Sequence, residues 1–236
     1  MGAGRPPTQY LHLDSIRYNA CMSFSTLFFD LDATLYSPSN GLWDEIRDRI
    51  YEYMRKEVGI KEDQIPETRD RYWKTYGTTL EGLRIHHDVD PDEYLSYVHN
   101  IPLEGYLSRD PELYTLLDDL PQDLWVFTNA DRNHAEAVLG ILGIRDQFSG
   151  IVDLLAMDFI IKPKPEAYQI ALELAGEDDA SSCILFDDLV PNLLGAKEQG
   201  FTTVLVGENH PVKSADYQLS TIHKIKEVMP HLWMNG

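Results

Sequence analysis

Asp30 and Asp32 stand two residues apart, directly after the apolar run Leu27, Phe28 and Phe29. Such a run is long enough for a buried parallel strand. In an open α/β sheet, polar groups released at the carboxyl end of a strand face the crevice where ligands bind. One carboxylate there can act as a nucleophile, and a second can carry a proton. Aspartate is also common after strands because it favours turns, so the pair gains meaning only from its partners.

Three later stretches supply partners, each after a strand-like apolar run. Thr128 and Asn129 end the run in VFTNAD. A hydroxyl and free backbone N–H groups beside a helix start can hold phosphate oxygens. The alternative is that Thr128, Asn129 or Asp131 merely caps the next helix. Lys162 lies in IIKPKPEAY, where Pro163 keeps it out of a helix. An ammonium held there could neutralise phosphate charge and keep a nearby carboxylate ionised. Lys164, beside the helix start, is expected to face solvent. Asp187 and Asp188 in FDDLVPN would repel each other unless a cation intervenes. Magnesium takes few carboxylates together with water and phosphate oxygens, which suits that pair.

The elements that must position these groups follow from periodicity. Leu124–Thr128, Ile151–Leu155, Ile184–Phe186, Thr202–Val206 and Tyr217–Leu219 are expected as further strands. Helices are expected after Asn129, over Pro165–Ala175 and over Pro191–Gln199, with another near the C-terminus. Alternating strands and helices predict an α/β fold with a doubly wound, mostly parallel, Rossmann-like sheet. Between Tyr36 and Pro121 no strand is expected. Trp43, Ile46, Ile50, Met54 and Val58 recur at helical spacing, and helices are also expected near Glu67–Tyr76, Leu80–His87 and Pro91–His99. Residues 41–104 are therefore expected to form a helical cap. Residues 23–40 and 105–236 would form the core, preceded by a flexible extension over 1–22.

Composition narrows the function classes. The 20 Lys and Arg against 39 Asp and Glu give a net charge of −19, a field that repels nucleic-acid polymers and anionic membranes. Cys21 and Cys183 have no paired spacing, which argues against disulfide or zinc frameworks and fits a reducing compartment. No signal-peptide pattern or long apolar segment is legible, and a cytoplasmic location is expected.

The four motifs in this order resemble the haloacid dehalogenase superfamily, whose phosphatases carry DxDx[TV], a Ser/Thr motif, a Lys motif and an acidic motif. The similarity runs from about Ser25 to Val206. DLDATLY, Gly41-Leu42, the YGTT of Tyr76–Thr79, FTNAD, KPxxxxY and FDDxxxN resemble the pyrimidine 5′-nucleotidase group within it. Position 33, usually Asp, Asn or Gly in that group, is Ala33 here. The resemblance implies that Asp30 is the nucleophile and Asp32 the general acid and base. It also implies phosphate binding by Thr128, Asn129 and Lys162. Magnesium would be held by Asp30, Asp32 and the Asp187–Asp188 pair, with Asn192 in support. The implied partner is a small phosphorylated metabolite, foremost a pyrimidine nucleoside 5′-monophosphate. Sugar phosphates are the alternative, and a non-catalytic binding protein is a distant third. Tyr36, Tyr76, Thr78, Thr79, Arg84 and His86 are the expected substrate contacts of the cap. Burial and the neighbouring nucleophile are expected to raise the Asp32 pKa.

Overall fold

The computed structural model describes residues 24–207 and 214–234; the expected extension over 1–22, with Cys21, lies outside them. Six strands form one sheet in the order β3-β2-β1-β4-β5-β6, every neighbouring pair parallel. They are β1 (Thr26–Phe29), β2 (Asp123–Phe127), β3 (Gly150–Val152), β4 (Cys183–Asp187), β5 (Thr202–Val206) and β6 (Tyr217–Leu219). This is the predicted doubly wound sheet. The chain moves from β1 outward to β3, then crosses back to the other side of β1 with β4. A crevice opens where the strand order reverses, at the carboxyl ends of β1 and β4.

Leu27, Phe28 and Phe29 of β1 are fully buried, as a central parallel strand covered on both faces requires. Phe29 pairs in register with Val126 of β2 and Phe186 of β4, so the three strands end level. The Phe29 and Phe186 rings stack 4.6 Å apart, while Phe28 meets Phe127 and Phe201 edge-on. These contacts pin the strand ends that carry the acidic residues.

The core helices are α5 (Pro111–Asp118), α6 (Arg132–Leu142), α7 (Pro165–Ala175), α8 (Val190–Glu198) and the single turn α9 (Ile225–Val228). The expected C-terminal helix is thus reduced to one turn flanked by 3₁₀ turns. Asp131, rather than Thr128 or Asn129, caps α6, accepting from the N–H groups of Asn133 and His134 at 2.9 and 3.1 Å.

Between β1 and α5 lie four more α-helices and no strand: α1 (Leu42–Lys56), α2 (Ile65–Tyr76), α3 (Thr79–His87) and α4 (Pro91–Val98). The buried face of α1 carries Leu42, Ile46, Ile50, Tyr53 and Met54. Trp43, expected on that face, is instead 40% exposed. Ile46, Ile50 and Met54 are buried as expected, and only the first position differs, with Leu42 taking the place expected of Trp43. A Cβ on Gly82 of α3 would lie 2.2 Å from the Tyr72 ring, so glycine allows α2 and α3 to pack closely. No helix among the described residues is long and apolar enough to cross a membrane.

Candidate active site

The level ends of β1, β2 and β4 bring the predicted motifs to one place. Asp30 follows β1, and its amide donates to the Phe186 carbonyl at 2.8 Å, tying the two loops together. Ala33, three positions later, has φ 63°. A non-glycine residue is strained in this left-handed region, and Asn, Asp or Gly fits it better.

Lys162 is the electrostatic centre. Its ammonium is 2% exposed and donates to the Phe127 carbonyl at 2.6 Å, Asp187 Oδ2 at 2.7 Å and Asp30 Oδ1 at 3.0 Å. All three N–H bonds are thereby used. Burial alone would lower the Lys162 pKa, but the Asp187 and Asp30 charges more than reverse that and hold it protonated. The main chain of Lys162 is fixed by Asn129, whose Oδ1 accepts from the Lys162 amide and whose Nδ2 donates to its carbonyl, each at 3.0 Å. The Asn129 side chain is therefore a brace for the lysine loop. Lys164 is exposed, as expected.

The acidic pair divides its labour. Asp187 is completely buried and accepts from Lys162 Nζ, from the Leu189 amide at 2.8 Å, and from Asn192 Nδ2 at 3.0 and 3.1 Å on its two oxygens. Its lone pairs are committed to the protein. Asn192 is held in turn by Tyr168, whose hydroxyl donates to its carbonyl at 2.6 Å. Asp188 points the other way and lines the cavity above the sheet. Burial, then the adjacent Asp187 charge, push its carboxyl up to about 7. Asp30 is raised well above the usual range, first by burial and then by Asp187, Asp188 and Asp32, against the pull of Lys162. Two oxygen-donor carboxylates that resist ionising side by side form a donor set for a hard cation. Among the described residues no three His, Cys, Asp or Glu side chains gather into a complete cage. A cation here would rely on main-chain, water or substrate oxygens for its other ligands.

Asp32 departs from expectation, because its pKa is lowered. Burial raises it, but the charge and hydrogen bond of His134 and the hydrogen bond of Tyr36 outweigh that effect. Both donors meet the same oxygen: His134 Nε2 lies 2.8 Å and Tyr36 Oη 2.5 Å from Asp32 Oδ1. The His134 ring stacks on His99 with centroids 4.3 Å apart, and His99 Nδ1 is hydrogen-bonded to Asp131. Neither histidine is in a recognisable metal motif. The available signal for His134 was its place one turn ahead of Val138 on the buried face of α6.

A cavity of about 460 Å³ covers Asp30, Asp32, Thr128, Asn129 and Asp188. The Thr128 hydroxyl accepts from the Ala130 amide at 3.0 Å, which leaves its proton available. The far wall comes from the helices of 41–104. Thr78 and Thr79 line it, as expected, and so do Trp43, Arg69, Trp73, Lys74 and Tyr94, which were not anticipated. Other expected contacts lie elsewhere. Tyr36 is not on the cavity wall and donates to Asp32 instead. Tyr76 and His86 bond to each other at 2.7 Å away from the cavity. Arg84 stacks on Phe159 at 3.9 Å and pairs with Glu81 at 2.8 Å. Local helical pairing and ring contacts captured these three side chains.

Comparison with known proteins agrees with this architecture. The chain is 28% identical to phosphate metabolism protein 8 of Saccharomyces cerevisiae over 218 residues, covering 85% of this chain and 67% of that protein. A HAD phosphatase from Thermococcus onnurineus superposes with a TM-score of 0.62 at 18% identity, covering 86% of this chain and 96% of the other. A magnesium-bound HAD hydrolase from Bacillus subtilis gives 0.61 at 14% identity, covering 87% and 98%. The L-2-haloacid dehalogenase of Xanthobacter autotrophicus gives 0.58 at 14% identity, covering 86% and 97%. These structural likenesses establish the fold. Residues 24–200 match the haloacid dehalogenase-like hydrolases as a family, and to that family of enzymes the chain belongs.

Proposed function

We propose that the protein is a Mg²⁺-dependent phosphomonoester hydrolase acting through an aspartyl-phosphate, with pyrimidine nucleoside 5′-monophosphates such as UMP and CMP as its substrates. The observation that carries this reading is the set of three carboxylates, Asp30, Asp32 and Asp188, on one cavity above the Lys162 ammonium. A haloacid dehalogenase needs neither an acid–base carboxylate nor a metal, so Asp32 and Asp188 would have no work in it. Sugar phosphates remain the second substrate class. Trp43 and Trp73, 40% and 45% exposed on the cavity wall, favour a substrate that carries a flat base over a bare sugar phosphate.

In this mechanism Asp30 attacks phosphorus while its Oδ1 is held by Lys162 and its Oδ2 by the Thr34 hydroxyl at 3.2 Å. As the Asp30–phosphorus bond forms, the bond to the leaving oxygen breaks. The proton held by the hydrogen-bonded Asp32–His134 pair passes from Asp32 to that oxygen. Asp32 then takes a proton from the attacking water, the Asp30–phosphorus bond breaks and inorganic phosphate leaves. Thr128 and the main chain of Asn129 bind the phosphoryl oxygens, and Lys162 offsets their charge. Mg²⁺ would be held by Asp30, Asp188 and the main-chain carbonyl of Asp32, where it supplies charge neutralisation for the transferring phosphoryl group. Asp187 and Asn192 would steady these ligands from behind. The helices of 41–104 act as a cap that excludes bulk water between the two steps.

Phosphate release from UMP, CMP, ribose 5-phosphate and glycerol 3-phosphate, with and without Mg²⁺, tests the reading. Mg²⁺-dependent turnover greatest on the nucleotides and abolished in Asp30→Asn is expected. Full activity in Asp30→Asn removes the covalent step.

A further inference from the structure

Asp32 has one anchored oxygen and one free oxygen. Tyr36 and His134 both donate to Oδ1, and among the described residues Oδ2 receives no hydrogen bond. Two donors on one oxygen resist rotation of the carboxyl, so a proton that the Asp32–His134 pair passes out through Oδ2 enters the cavity that Asp32 lines. His134 is itself gripped on several sides. Asp131 accepts from its main-chain amide at 3.1 Å and also bonds His99, whose ring covers the imidazole at 4.3 Å. His99 ends α4 in the 41–104 segment, while Asp131 and His134 belong to the core. His134 is 3% exposed, and its Nδ1 has no partner. The imidazole therefore spends its hydrogen-bonding capacity on Asp32 alone. A buried histidine kept with one nitrogen unsatisfied points to a role that packing does not explain.

We propose that His134 is a positioning residue for the phosphatase reaction: it fixes the Asp32 carboxyl through Oδ1 so that Oδ2 delivers the proton to the leaving oxygen. His99 and Asp131 hold the imidazole in place, which joins the helical segment to the proton donor. The assignment rests on the phosphatase reading above. It predicts dependence on the leaving group. An alkoxide must be protonated as its bond to phosphorus breaks, whereas p-nitrophenolate departs without a proton.

The test is the rate of the first turnover with enzyme in excess, compared for UMP (or ribose 5-phosphate) and p-nitrophenyl phosphate in the presence of Mg²⁺. His134→Leu should slow alkyl-ester cleavage by about 100-fold, at the lower end of general-acid contributions. Release of p-nitrophenolate should stay within about threefold of wild type. His134→Gln, whose amide can donate to Oδ1, should recover most of the loss. In an Asp32→Asn background, His134→Leu should cost nothing further on the alkyl ester, since the two act as a unit. Equal losses on both esters, or no loss on either, would overturn the positioning role while leaving the phosphatase reading intact. A wild-type enzyme inactive on every ester would end both. Circular dichroism and melting curves of His134→Gln guard against an unfolded variant, because that variant must be folded and active for the assignment to stand.

Discussion

Lys162 Nζ lies 2.7 Å from Asp187 Oδ2, joining the loop before α7 to the end of β4 inside the protein. Neither group reaches solvent, so each compensates the burial of the other. Lys162→Met should lower unfolding free energy by about 3–5 kcal/mol, because it strands a buried carboxylate. Urea unfolding checks this. Lys162→Arg is not a conservative rescue, since a planar guanidinium cannot meet three converging acceptors in the same small space.

Asp188 adds a pH dependence of its own to the stability of the metal-free protein. Its folded pKa is about 7, above the usual carboxylate value, so ionisation opposes folding. Its contribution to stability is fully present below the unfolded pKa of about 4 and is lost as pH rises through about 7. In EDTA, Asp188→Asn should match wild type near pH 4 and melt higher than wild type at pH 8. Mg²⁺ should raise the melting temperature of wild type at pH 8 and have little effect on the variant. Thermal melts across that range decide the matter, and identical pH profiles with and without the substitution would refute it.

Trp43 and Trp73 should matter for the base and not for the phosphate. Stacking of a base on an aromatic side chain contributes about 1–3 kcal/mol. Replacement of either residue by Ala is expected to raise KM for UMP at least about fivefold while leaving kinetics on glycerol 3-phosphate nearly unchanged. A uniform loss on both substrates would count against base recognition at this wall.

Ala33, immediately after Asp32, sits at φ 63°. The left-handed conformation costs an L-residue about 1–2 kcal/mol, and glycine recovers it less about 0.5–1 kcal/mol of added chain entropy. Ala33→Gly should therefore stabilise the protein by roughly 0.5–1 kcal/mol in denaturant titration. A destabilised variant would show that the Ala33 methyl group contributes packing that outweighs its backbone strain.

Much of this protein was legible as residue order. Apolar runs ending in Asp30, Thr128 and Asp187 identify strands whose ends carry chemistry, because a buried parallel strand must be apolar and its polar successors must face the crevice. Helical spacing likewise located α1 to α4, and Pro163 kept Lys162 out of the helix that follows. Tertiary structure decided what depends on direction. Asp187 and Asp188 are adjacent and chemically identical, yet one is consumed by Lys162 and Asn192 while the other faces the cavity. His134 reaches Asp32 across 102 positions, and that contact reverses the pKa shift expected from burial. Tyr76, Arg84 and His86 carried suitable chemistry but found nearer partners, while Trp43 turned from the core toward the cavity. Spacing along a chain reports which face a residue can occupy. Which neighbour it meets there is settled only when separate segments pack, since hydrogen bonds and charges act over a few ångströms of space.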